Sequence, residues 1–274
     1  MLLMPVSTGA AAHRAFSSAL LNGLLEVIER DAFMITWLNA LTPPRIDCAT
    51  VYDEPLQKIF ATLKRYRLDF SLLALPSDLP VHTILALIID TTGVGPAVSV
   101  GAKASVNLLA AMQGALTEAL ACRRSIRHYC MEHPTHEKDR ASTLDQKTLD
   151  REGRLRWWSS IDKIKDIQFL ITGELVSAEA INKFPFRRND AETLQYIVEI
   201  LKNKKHEVVY TEMLSPRLRA ALNFHAVMVI VPGFQPLHLF EGLPYLWGAR
   251  LEYVPQELGF YTKGTRNTLP HPFP

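Results

Sequence analysis

One stretch limits the fold more than any other: residues 19–38, ALLNGLLEVIERDAFMITWL. Strong helix formers dominate it and no proline interrupts it, so it reads as a helix with Gly23 as its weak position. It is apolar on nearly every side, which places it inside a sizeable domain. At roughly 100° per residue the polar exceptions gather rather than scatter. Ser18, Asn22, Glu26, Glu29 and Arg30 share one stripe about 120° wide, while Asp31 points the other way. A buried carboxylate without a partner is very costly. One solution is a Glu26–Arg30 pair at i, i+4 on a half-exposed face. The other is a bound cation, because two carboxylates one turn apart beside an arginine suit Mg²⁺ with a polyphosphate. Spacing alone leaves both open.

Around this helix the chain alternates long helices with strands. Pro43-Pro44 ends the first helix. Asp53 can cap a second, running to about residue 67 with Pro55 in its first turn. Residues 69–74, 82–90 and 97–102 read as strands, and the middle one is apolar enough to be central and covered on both faces. A third helix is expected over 107–130, a helix over 191–203, and strands over 206–211 and 226–231. Residues 132–148 are polar and read as an exposed loop, residues 150–186 are hard to read, and the proline-rich segment 250–274 is expected to be extended. The pattern implies an α/β (α+β) domain in which a layered sheet packs against long buried helices.

Composition narrows the function. A net charge of +2 over 274 residues gives no case for attraction to nucleic acid or membranes. No apolar run approaches the ~20 residues of a membrane span, and the N-terminus lacks a secretory pattern. Three cysteines, an odd and small number, fit a reducing cytoplasm. There is no P-loop or Rossmann fingerprint. Cys130, His133 and His136 have a zinc-like spacing, but they lack a fourth ligand and lie in charged, proline-containing sequence, so no metal is expected there.

Four motifs, in order, carry a family resemblance. Glu26-Val27-Ile28-Glu29-Arg30 resembles the second ExxER helix of the YcaO family, and Ser7-Thr8-Gly9-Ala10-Ala11 resembles its SNGLAAG approach. Val231-Pro232-Gly233-Phe234-Gln235-Pro236-Leu237-His238 is similar to the VPGLQPLH block of the azoline-forming (SagD-like) members, and Pro270-His271-Pro272-Phe273-Pro274 to their PxPxP terminus. Together they cover the chain from end to end. Such members carry a further segment with an SxxxExxER helix, so residues 1–274 are expected to correspond to a C-terminal portion of a YcaO-like domain.

The resemblance implies a function. A Cys, Ser or Thr side chain of a ribosomal precursor peptide attacks the preceding amide carbonyl, ATP phosphorylates the oxygen, and phosphate leaves to give a thiazoline or oxazoline. ATP and Mg²⁺ are the implied cofactors. Glu26 and Glu29 would bind metal, and Asn22, Arg30 and Arg123 nucleotide; Arg123 and Glu118 match a TEAxQxR-like run on the third helix. The catalytic tail would be Pro270, His271, Pro272 and the Pro274 carboxylate, with His271 a candidate base because imidazole titrates near neutrality. The ordinary alternative is a solvated tail, or a ligand for a partner's aromatic groove. Implied partners are the precursor peptide and a leader-peptide-binding (C) protein, and a homodimer is possible. The sequence departs from the family at Ser18, where Glu is usual, at Asn22, where Gln is usual, and at Ala121, also in place of Gln. The departures at Ser18 and Ala121 support one alternative, a truncated, catalytically incompetent scaffold. A second that the resemblance allows, a thioamide- or amidine-forming relative, is opposed by the PxPxP-like tail, which goes with azoline formation.

Overall fold

The computed structural model describes residues 7–132, 149, 151–182, 189–262 and 264–273. The strands are β1 (Ala10–His13), β2 (Arg45–Asp47), β3 (Asp69–Leu75), β4 (His82–Ile89), β5 (Val98–Ser105), β6 (Leu175–Ser177), β7 (Val209–Glu212) and β8 (His225–Ile230). The helices are α1 (Phe16–Leu38), α2 (Glu54–Arg65), α3 (Leu108–Glu132), α4 (Arg151–Trp157), α5 (Gln168–Ile171), α6 (Ala178–Ile181), α7 (Asp190–Asn203), α8 (Pro216–Leu222) and α9 (Arg250–Glu257). Asp53 caps α2 by accepting from the Leu56 N–H at 3.0 Å, and Asn107 does the same for α3 through Ala110.

The larger sheet has the order β5-β4-β3-β2-β6, antiparallel throughout except for the parallel β2–β6 pair. Strand β4, interior to the sheet between β5 and β3, is buried on both faces. Leu85 and Leu87 point into one core with Phe33 and Trp37 of α1. Ile84, Ala86 and Ile88 point into another with Phe60 of α2 and Met112 of α3. Both faces are buried, as the apolar sequence of this strand predicts, because helices cover both sides of the antiparallel sheet. Gly101 on β5 lets α3 come close: a Cβ there would lie 2.2 Å from the Ala119 nitrogen.

The smaller sheet, β1-β8-β7, is antiparallel. It packs on the N-terminal half of α1, where Leu24 and Ile28 meet Val227 and Val229 of β8 and Ile197 and Leu201 of α7. Helix α1 therefore lies between the two sheets, which explains why almost its whole surface is apolar.

The expectation of an extended segment over 250–274 needs correction, because its first part is α9, with Pro255 inside the helix. Proline removes the N–H that would bond the carbonyl four residues earlier. That carbonyl, Leu251 O, accepts instead from Asn39 Nδ2 at 3.1 Å. Most of the expected exposed loop, residues 133–148, lies outside the described residues, as do His133 and His136.

Candidate functional site

The polar stripe of α1 survives folding, and most of it is not solvated. Glu29 is 1% exposed. Its Oε2 accepts from the Ala104 N–H on β5 at 3.0 Å, and its Oε1 lies 2.9 Å from Arg30 Nη1. Neither of these two atoms has a hydrogen bond in line, although both are buried. Glu26 sits one turn away, with Oε2 accepting from the Gly9 N–H at 3.3 Å and Oε1 3.5 Å from Arg30 Nη2. The Glu26–Arg30 pair exists, therefore, but inside a larger, partly buried group.

Glu118 of α3 completes that group. Burial raises the pKa of its carboxyl, opposed by Arg30 and Lys103 and reinforced by Glu26. Burial also pushes Glu29 up to about 7, against the pull of Arg30 and with the help of Glu118. Burial thus disfavours the ionised forms of Glu29 and Glu118, and a dication beside them would reverse that preference. The open lone pair of Glu29 Oε1, the open N–H of Arg30 Nη1 and the hard oxygen donor set fit Mg²⁺ bound with phosphate.

The other expected site residues distribute unevenly. Ser18 Oγ donates to Asp190 Oδ2 of α7 at 2.5 Å, which brings a carboxylate to the start of the stripe from another helix. Asn22 is exposed on the same flank. Arg123 does not join the group. Its Nη2 donates to Asp90 Oδ2 at 2.5 Å and its Nη1 to the Pro96 carbonyl at 3.1 Å. Pro96 and Ala104, the latter beside Glu29, are eight residues apart along extended chain, roughly 25 Å at about 3.3 Å per residue. Asp31, on the far side of α1, is satisfied by Arg250, whose Nη2 lies 2.8 Å from Oδ2, and by the Gln235 N–H at 2.7 Å.

The proline-rich tail reaches the site. Trp37 Nε1 donates to the Leu269 carbonyl and Trp158 Nε1 to the Pro270 carbonyl, both at 3.0 Å. Pro270, His271, Pro272 and Phe273 are buried, and Pro274 lies outside the described residues. The Phe273 ring stacks under the Arg30 guanidinium, 4.0 Å from centroid to Cζ, and touches Phe33 at 4.8 Å between centroids. The tail thus occupies an aromatic groove of its own chain. His271 is not placed to act as a base: it is 0% exposed, and its Nε2 donates to the His238 carbonyl at 2.8 Å. Burial, helped by Arg154, holds its pKa well below the usual imidazole range.

Sequence reasoning did not assign Glu118, Lys103, Asp190 or Arg154 to this region. Glu118 was within reach, since it falls in the TEAxQxR-like run, but nothing local shows that α3 lies against α1.

A mixed α/β fold carries here a buried carboxylate–arginine cluster whose donor set fits a metal-bound phosphate ligand. The family follows: a model described as YcaO cyclodehydratase, ATP- and Mg²⁺-binding, matches residues 1–235, and the chain belongs to the YcaO family. No curated protein matches it. The fold is similar to that of a heterocyclase in complex with substrate and cofactor, with a TM-score of 0.74 and 22% identity, covering 99% of this chain and 34% of that one. It is similar to the heterocyclase TruD, with a TM-score of 0.70 and 22% identity over 99% of this chain and 35% of that one. A YcaO protein from Methanopyrus kandleri bound with AMPPCP and Mg²⁺ has a TM-score of 0.58 and 20% identity, covering 86% of this chain and 57% of that one. The chain spans about a third of the length of the two heterocyclases. Among the described residues, no helix is long and apolar enough to cross a membrane.

Proposed function

We propose that the chain is the nucleotide- and metal-holding part of an ATP-dependent cyclodehydratase that forms thiazoline or oxazoline rings in a ribosomal precursor peptide. The observation that carries this reading is the convergence of Glu26, Glu29 and Glu118 on Arg30, with Phe273 of the tail stacked on the same guanidinium. Glu26 and Glu29 would hold Mg²⁺, with Glu118 beside them, and Arg30 would hold phosphate oxygens in its planar fork. Bound ATP would supply the phosphoryl group that converts the amide oxygen into a leaving group. The chain's own residues would position that group and exclude water from it: Phe273, packed on Phe33, stacks on the guanidinium, and the tail covers the cluster's flank.

A precursor peptide and a leader-binding protein are the partners this reading implies. The Escherichia coli microcin synthetase complex, which has a pro-peptide bound, supports it at the level of fold, with a TM-score of 0.59. A cytoplasmic setting fits a chain with only three cysteines, an odd number. Asn22, exposed on the stripe, is a candidate nucleotide contact, and the Ser18–Asp190 bond offers a carboxylate where the family has one on α1.

Titration calorimetry of the purified chain with Mg²⁺ and AMPPCP tests the reading. Binding that is lost in Glu29→Gln is expected. Absence of heat from the unaltered chain would overturn the reading and favour a scaffold that no longer holds nucleotide.

A further inference from the structure

The pocket that receives His271 is built almost entirely from groups the proposed chemistry does not use. Arg154 of α4, fully buried, donates through Nη1 to the carbonyls of His238 (3.3 Å) and Leu239 (2.6 Å). His238 Nε2 lies 3.1 Å from Glu241 Oε2, and Arg154 Nη1 is 3.5 Å from Glu241 Oε1. The loop 238–241 is thereby folded around one imidazole. The two imidazole rings meet edge to face at 4.8 Å, and Phe33 touches His271 on another side at 6.0 Å. Two residues further along, Phe273 meets the same Phe33 and covers Arg30.

This arrangement selects a single register. Pro270 and Pro272 have no N–H, so the tail cannot be fixed by ladder bonds. The groove offers donors to its carbonyls instead, one indole N–H to Leu269 and one to Pro270, in the manner of aromatic grooves that read polyproline segments. Sliding the tail by one residue would put a proline against the His238 carbonyl, where no donor could replace His271 Nε2–H. His238, Glu241 and His271 also bring three donor atoms within 4.8 Å of one another, the composition of a His₂Glu zinc site. The Arg154 guanidinium already pairs with Glu241 there, and a dication would enter beside a buried positive charge.

We propose that His271 is a positioning residue: its imidazole, seated on His238, Glu241 and Arg154, sets the register of the tail so that Phe273 lies on Arg30. Its effect on nucleotide passes through Phe273. In that part the proposal rests on the reading of the site given above; the seating of the tail does not.

Two measurements on the full chain separate the two. The first is acrylamide quenching of the buried Trp37 and Trp158, whose indoles hold the tail. His271→Ala should raise quenching and shift emission to the red, whereas His271→Gln, which keeps a donor near the Nε2 position, should not. The second is the affinity for Mg²⁺-AMPPCP in a cycle of His271→Ala, Phe273→Ala and the double variant. Each single change should weaken binding about tenfold, and the double no further than either single, as expected when one residue acts through the other. Unchanged quenching in His271→Ala, or additive losses in the cycle, would overturn the proposal. So would one equivalent of zinc in the purified chain that disappears with His271→Ala. If His271→Ala does not fold, His271→Gln against His271→Asn decides, since the latter displaces the donor at similar polarity. If the unaltered chain binds no nucleotide, the site reading fails while the quenching result still stands.

Discussion

Replacing Glu29 with glutamine should make the metal-free protein more stable above neutral pH. Burial lifts the Glu29 carboxyl from 4.5 to about 7. A raised carboxyl pKa means the folded state holds its proton more tightly than the unfolded state. The resulting stability is fully present below about pH 4.5 and is lost as pH rises through about 7. A gap of about 2.5, at about 1.36 kcal/mol for each pH unit, amounts to about 3 kcal/mol by pH 8. Glutamine never ionises and can still accept from the Ala104 N–H, so Glu29→Gln removes this loss. At roughly 2–4 °C per kcal/mol for a chain near this size, the variant should melt roughly 6–12 °C above the parent at pH 8, and close to it at pH 5. Thermal melts by circular dichroism in EDTA, from pH 5 to 8, measure the difference. Adding Mg²⁺ with AMPPCP at pH 8 should invert the order, because only the carboxylate gains from the metal. A difference that stays flat with pH would refute the argument that burial, rather than a local contact, governs Glu29.

Other substitutions test the scaffold around the site. Arg123→Ala should leave Mg²⁺-AMPPCP affinity unchanged in the folded fraction while costing about 3–5 kcal/mol in urea unfolding, because it strands the buried Asp90. Asp90's pKa is depressed by its hydrogen bonds with Thr92 and Arg123 despite burial. The stability it contributes is therefore present above its unfolded pKa and lost as pH falls through its folded one, and Arg123→Ala should flatten that acid limb. Asp31→Asn should cost a similar amount by depriving Arg250 of its bidentate partner, with unfolding midpoint as the measure. Asn39→Ala should cost about 1–3 kcal/mol by orphaning the Leu251 carbonyl. Adding Pro255→Ala should recover part of the loss, because residue 255 would regain the N–H that reaches that carbonyl.

The parts legible in the sequence were those decided locally. Helix α1 could be read because no breaker interrupts residues 16–38, and α2 because Asp53 and Pro55 mark its start. The three strands β3, β4 and β5 were bounded by proline and glycine. The stripe of Glu26, Glu29 and Arg30 followed from helical periodicity alone. What stayed hidden depended on contacts across the chain. Periodicity put Arg123 on a face of α3, but Asp90, at the end of β4, decides what it binds. His271 looked available because proline-rich ends are often solvated, and the receptor that buries it comes from α4 and the loop 238–241. Helix α9 was missed because Pro255 argued against it, and its remedy, Asn39, lies 212 residues away from the carbonyl it serves.

That reach has a consequence for how the molecule is made. Trp37 and the carbonyl it holds are separated by 232 residues, and Asp31 and Arg250 by 219. At about 5–20 residues per second, translation takes roughly 10–50 s to deliver those partners. Throughout that interval the greasiest rod in the protein is already outside the ribosome with its coverings unmade. Yield in the cell should therefore depend more on holdase chaperones than on the stability of the finished fold.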